Sequence, residues 1–186
     1  MRELSLNVMD IVQNSISANG TIIKITIAEN SVEDTLSIVI EDNGRGMTPE
    51  QVNHVQDPFF TTRTTRRVGL GIPLFKMAAE QTGGYLNITS QVGVGTVVNA
   101  VFKPSNIDMT PLGDINQTIS LLIRCNPTID FVFCHSIDHK TFTLDTREIK
   151  EIVGSEVSLD NPDVMEWING YLLEQNELIN GGARNL

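Results

Sequence analysis

Residues 4–18 repeat their apolar positions every three or four residues, through Leu4, Val8, Ile11, Val12 and Ile16, which predicts a helix with one buried stripe. Asn19-Gly20 supplies residues that tolerate left-handed backbone and ends it. The pattern then changes. Ile22, Ile23, Ile25 and Ile27 form a β-rich run, and Leu36–Glu41 forms a second, with the polar Glu29–Asp34 stretch as the hairpin connection. Residues 43–68 hold little periodicity and are rich in Gly, Thr, Arg and Pro, which reads as a long functional loop or lid. Helical spacing returns over Leu70–Gln81, with Pro73 tolerable in the first turn, and Gly83-Gly84 stops it. Tyr85–Ser90 and Thr96–Phe102 read as two further strands joined across Gly93-Val-Gly95. The order helix, two strands, lid, helix, two strands predicts an α+β fold, a two-layer sandwich of a mixed sheet with helices on one face.

Lys103-Pro-Ser-Asn106 marks a boundary in this pattern. The reading is a first domain over residues 1–104 and an α-β-β-α-α extension over 105–186. The extension has a helix near 114–124, a hairpin (Ile129–Cys134 and Thr141–Leu144), and helices near 146–153 and 162–178. Phe131, Phe133, Phe142 and Trp167 are expected in its core.

Charge sharpens this division. The net charge of −10 splits into 8 Lys/Arg against 10 Asp/Glu in residues 1–104, and 5 against 13 in 105–186. An acidic surface repels phosphate backbones, so nucleic acid is not an expected partner. No stretch approaches eighteen apolar residues, so no membrane span is expected, and the N-terminus lacks the apolar run of a signal peptide. Two cysteines, Cys125 and Cys134, lack metal or redox spacing and suit a reducing, cytoplasmic setting. His54, His135 and His139 are isolated and are expected at the surface.

Four segments carry chemistry. Asp10 and Asn14 share a face of the first helix, where an amide oxygen can serve Mg²⁺ and a carboxylate can orient or deprotonate a water or hydroxyl. Asp42-Asn-Gly-Arg-Gly46 follows a strand. It is either a tight turn or a strand-end carboxylate that accepts from an exocyclic amine, with Gly44 and Gly46 permitting close backbone approach. Asp57-Pro-Phe-Phe-Thr-Thr62 and the following Arg63, Arg66 and Arg67 offer aromatic anchors, hydroxyls and cations suited to phosphate. Gly69-Leu70-Gly71 opens a helix, where free backbone N–H groups attract anions. Thr96, after Gly95, is placed to hydrogen-bond a base from the sheet. No Gly-x4-Gly-Lys-Ser/Thr motif occurs, so a P-loop is excluded.

In this order the segments resemble the ATP-binding (GHKL) superfamily of DNA gyrase, heat-shock chaperone, mismatch-repair and sensor histidine kinase ATPases. The resemblance covers about residues 1–103 and looks closest to the sensor-kinase type, as found in small stand-alone bacterial ATP-binding proteins. It implies a Bergerat-type fold with ATP and Mg²⁺ as ligands. Asn14 would hold the metal, and Asp42 would read adenine. Gly44, Gly46, Thr62, Gly69, Leu70, Gly71 and Thr96 would complete the nucleotide site. Asp10 would be the candidate general base. Two positions depart from the pattern: Asp10 stands where hydrolytic members carry Glu, and Arg67-Val68 replaces the usual Gly-Thr before the glycine turn. A phosphoacceptor-histidine hairpin is not expected ahead of residue 3, so the implied action is on a separate, unidentified protein partner. That action would be phosphoryl transfer or slow ATP hydrolysis. The alternative is a non-catalytic ATP sensor that presents residues 105–186 to a partner.

Overall fold

The computed structural model describes residues 3–56 and 70–181. Twelve elements follow in order among the described residues: α1 (Leu4–Ser17), β1 (Ile22–Asn30), β2 (Thr35–Asp42), α2 (Pro49–Val55), α3 (Gly71–Gln81), β3 (Tyr85–Gln91), β4 (Gly95–Phe102), α4 (Ile115–Cys125), β5 (Asp130–Ile137), β6 (Lys140–Asp145), α5 (Thr146–Val153) and α6 (Pro162–Ile179). The strands form one six-stranded sheet in the order β3-β4-β2-β1-β5-β6. All pairings are antiparallel except β1 with β5.

Alternation along each strand sends one row of side chains to the core. Ile23, Ile25 and Ile27 on β1 lie opposite Asp42, Ile40 and Ile38 on β2, which in turn face Thr96, Val98 and Ala100 on β4. The same row continues through Phe131 and Phe133 on β5, opposite Ile23 and Ile25. α1 covers this row with Leu4, Val8, Ile11 and Val12, and α3 adds Phe75, whose ring lies 5.6 Å from that of Phe102. The fold class is therefore the expected α+β sandwich of mixed sheet and helices.

The second half of the chain joins the first through main chain as well as side chains. β5 pairs with β1 from Ile22–Asp130 to Glu29–Ile137. α1 has no side-chain cap; instead the N–H groups of Leu4 and Ser5 donate to the carbonyls of Pro111 and Leu112 at 2.9 and 2.8 Å. Those donors would otherwise lack intrahelical partners. The remaining caps are local: Asp114 for α4, Asp145 for α5, and Asn161 with Pro162 at the first turn of α6.

Three expectations are corrected. The stretch over 43–68 contains α2, which Thr48 opens: its hydroxyl accepts from the Gln51 N–H, and the Gln51 side chain accepts in return from the Thr48 N–H. Trp167 is 54% exposed, because it lies on the outer side of α6, stacked on Tyr171 at 5.4 Å. His135 is buried at 3%, because its position on β5 falls in the core row, two residues beyond Phe133. Its ring nitrogens meet Asn176 Oδ1 at 2.9 Å and Glu29 Oε1 at 3.3 Å. His54 and His139 are exposed, as expected.

Candidate nucleotide-binding site

A cavity of about 540 Å³ opens between α1, the end of β2, the loop after it, α2 and the start of β4. Its polar lining includes Asn14, Asp42, Arg45 and Thr96; its apolar wall includes Ile11, Ile72 and Val98. A volume of this size suits a nucleotide-sized ligand held by an apolar body and few polar groups.

Asp42 ends β2 on the core-facing side, so its carboxylate turns toward α1 instead of solvent. The Ser15 hydroxyl donates to its Oδ2 at 2.6 Å, and the Gly44 N–H donates to its Oδ1 at 2.9 Å. These two donors hold the carboxylate at the mouth of the strand. Thr96 sits opposite it on β4. Its hydroxyl lies 2.9 Å from that of Ser90, which also accepts from the Met47 N–H at 2.8 Å and donates to the Gly95 carbonyl at 2.9 Å.

The loop after Asp42 is shaped by the chain itself. Gly46 has φ +66°, and a Cβ there would lie 1.9 Å from the Gln91 carbonyl oxygen. Only glycine accepts both conditions. Gly44 is buried under the Ala18 carbonyl and does not line the cavity, whereas Gly46 does. Arg45 between them reaches the cavity, with its N–H donating to the Ala18 carbonyl at 2.9 Å.

Asn14 is exposed on the cavity side of α1, one turn from Ile11 and one turn before Ala18, both of which line it. Asp10 lies a turn earlier, outside the lining, against the first residue of α3. A Cβ on Gly71 would come within 2.9 Å of the Asp10 Cβ. That glycine allows α1 and α3 to touch at the point where the free N–H groups of α3 begin. Leu70, the residue before α3, is 56% exposed. Thr62 and Gly69, with the rest of Asp57–Gly69, lie outside the described residues. No cluster of three or more His, Cys, Asp or Glu able to hold a metal occurs among the described residues.

Of the positions read from sequence, Asn14, Asp42, Gly46 and Thr96 meet in one cavity, while Asp10 and Gly71 meet each other beside it. Ser15, Ser90, Arg45 and Val55 were not singled out. The capping-box spacing Thr48-Pro-Glu-Gln51 was the available signal for the α2 wall that carries Val55. Nothing in the sequence alone distinguishes Ser15 and Ser90 from ordinary serines, because their partners are 27 and 43 residues away.

A mixed sheet thus carries its helices on one face, and the cavity lies between the first helix and a strand-end carboxylate. The sequence profile of the histidine kinase-, DNA gyrase B- and HSP90-like ATPases matches residues 2–106, and the chain belongs to this family. Among curated proteins, it is 39% identical over 82 residues to the sensor protein SrrB of Staphylococcus aureus, covering 41% of this chain and 14% of that protein. It is 34% identical over 79 residues to a probable C4-dicarboxylate sensor kinase of Bacillus subtilis, covering 42% and 15%. The sensor histidine kinase YvrG of Bacillus subtilis is 27% identical over 94 residues, covering 48% and 16%. The chain thus spans about one-sixth of these relatives or less. Among solved structures, the N-terminal domain of a DNA repair protein superposes with a TM-score of 0.55 at 16% identity, over 83% of this chain and 58% of that one. At that identity the likeness is one of fold. It reaches further along the chain than the family profile does.

Proposed function

We propose that the cavity binds ATP, with adenine at the Asp42–Thr96 end and the phosphates toward Asn14 and the start of α3, and that the bound nucleotide serves a separate protein partner. The single observation that carries this reading is the convergence of Asn14, Asp42, Gly46 and Thr96 on one 540 Å³ cavity within a chain of this family.

Each role follows from the chemistry of the group. A carboxylate is an acceptor only, so Asp42 suits the exocyclic amine of adenine. Ile11, Ile72 and Val98 offer apolar surface to the ring. The backbone N–H groups at Leu70–Gly71, with Gly69 and Thr62, suit phosphate oxygens. Asn14 fits Mg²⁺: its side-chain amide is exposed at the cavity and forms no hydrogen bond among the described residues, and this metal takes few protein ligands beside phosphate and water. When bound, Mg²⁺ would neutralise charge on the phosphates. Asp10, a turn from Asn14 and against Gly71, places a carboxylate beside the start of α3 and is the candidate to orient a water or a partner hydroxyl. Its position fits phosphoryl transfer to a partner or slow hydrolysis, reactions that depend on positioning and charge stabilisation.

The test is saturable binding of radiolabelled ATP with and without Mg²⁺, followed by γ-phosphate release and transfer to proteins captured with ATP. Binding that requires Mg²⁺ and weakens in Asn14→Ala supports the proposal. Absence of saturable binding contradicts it. Binding and partner capture with no release or transfer leave a passive ATP sensor in its place.

A further inference from the structure

Alternation turns a second set of side chains away from the helices on every strand. The register aligns them in three rows that cross all six strands. The middle row runs from Asn87 on β3 through Asn99, Val39, Thr26 and Cys134 to Thr143 on β6. None of the residues in these rows is buried, although those between them along each strand are. The middle row and the row through Ala28 hold no charged residue. The third row holds three, and each has a partner: Lys24 lies 3.2 Å from Glu41, and Asp145 lies 2.6 Å from Arg147. Val39, Val97, Val101 and Val132 sit on the central strands, while Asn87, Thr89, Thr141 and Thr143 sit on the two edge strands. A charge-depleted apolar centre inside a polar rim is the make-up of a protein interface.

We infer that this outer face of the sheet is the contact surface between two copies of the chain, packed sheet against sheet. Charge selects the occupant. The chain carries −10, so most contacts between copies would press acidic surfaces together. Here Glu41 and Asp145 are offset by Lys24 and Arg147, and two identical faces meet without that repulsion. A strongly charged partner would find no opposite field to meet. Hydroxyls and amides both donate and accept, so a surface built from them can pair with its own copy across a two-fold axis. The size also fits. Six strands spaced ~4.8 Å apart, crossed by three rows ~6.8 Å apart, cover roughly 600 Å² in projection. Side-chain relief brings the accessible area toward the ~800 Å² that each partner gives to a standard interface. Two sheets in this arrangement lie about 10 Å apart with their strands aligned to within about 30°. The nucleotide cavity lies on the opposite, helical side of each sheet and stays open.

Sedimentation equilibrium of the full chain tests this. The mass is expected to reach twice that of the 20.5 kDa chain as concentration rises to about 100 μM, where a micromolar dimer is mostly formed. Asn99→Glu and Thr26→Glu each set like charges against one another at the centre of the face. Each is expected to weaken association at least about tenfold, with circular dichroism unchanged. Leu173→Glu, on the exposed side of α6, is expected to leave association as it was. Thiol labelling gives a second reading that needs no variant, because Cys134 lies in the middle row and Cys125 is exposed on α4. Alkylation of Cys134 is expected to slow at least about fivefold between dilute and concentrated protein, while that of Cys125 stays constant. If the charged variants fail to fold, this labelling pair decides. A chain that is monomeric at about 100 μM, a dimer that persists in the folded Asn99→Glu and Thr26→Glu variants, or a dimer that leaves Cys134 labelling unchanged, overturns the inference.

Discussion

Asp42 concentrates the chemistry of the cavity, and its neighbours show why. The carboxylate accepts from Ser15 and Gly44 and still faces the cavity, so it is oriented before any ligand arrives. Asp42→Asn keeps its size but puts an amide where an acceptor is required. It is expected to weaken ATP binding at least about tenfold, with circular dichroism unchanged; equal affinity by calorimetry would remove Asp42 from base recognition. Gly46 is held by sterics. Its φ of +66° and the 1.9 Å approach of a Cβ to the Gln91 carbonyl mean that Gly46→Ala should cost at least about 2 kcal/mol in denaturant unfolding. Retained stability would mean that the loop has another conformation available. At this scale residue type singled out Asp42 and Asn14, and the fold brings both to one cavity. The sequence was silent on Ser15 and Ser90, whose roles come from partners brought by the sheet register. Trp167 and His135 were misread because residue type was followed instead of position: the period-two row through Phe131 and Phe133 carries His135 inward, and the stripe of Val164, Ile168 and Leu172 leaves Trp167 outside.

Among the elements, α2 is the wall with least to hold it. It has seven residues, none buried, and rests on the reciprocal Thr48–Gln51 cap and the partly buried Val52 and Val55. A helix this short has little stability of its own. Thr48→Ala is expected to raise amide exchange across 49–55 and to weaken nucleotide binding a few-fold while the global unfolding midpoint stays near that of the wild type, since the cap contributes about 1 kcal/mol. Unchanged exchange would show that tertiary contacts hold α2. α5 has a charged cap. Asp145 accepts from the Arg147 N–H at 2.9 Å and pairs with its guanidinium at 2.6 Å, and that partner holds the carboxyl below its ordinary range. A depressed carboxyl contributes stability above its unfolded titration range and loses it as pH falls through the lower folded one. Asp145→Ala should therefore cost about 1 kcal/mol near pH 7, with the gap to the wild type narrowing under acid conditions. A gap independent of pH would contradict the pairing.

Across the whole molecule, a break in composition near residue 104 coexists with a continuous sheet. β5 pairs with β1 along its length, the Pro111 and Leu112 carbonyls complete the start of α1, and Phe131, Phe133 and Ile119 share one core with Ile23 and Ile25. Cutting there would bare the β1 edge and a row of apolar side chains. A fragment of residues 1–104 is expected to aggregate or to lack a cooperative transition, and the full chain to unfold in one step; a cooperative transition from the fragment alone would show that the first half stands by itself. The periodicity of apolar and polar residues announced nearly every element, including all three hairpins. The parallel join was invisible to it, because parallel neighbours lie far apart in sequence and leave no local turn signal between them.

The proposed site is one cavity that takes a purine triphosphate with its base against Asp42 and Thr96. A crystal structure of the full chain with a non-hydrolysable ATP analogue and Mg²⁺ tests it most directly. The 6-amino group is expected within hydrogen-bond distance of the Asp42 carboxylate, and the metal beside the Asn14 amide. A cavity left empty at saturating nucleotide, or a nucleotide bound with its base away from Asp42, would contradict it.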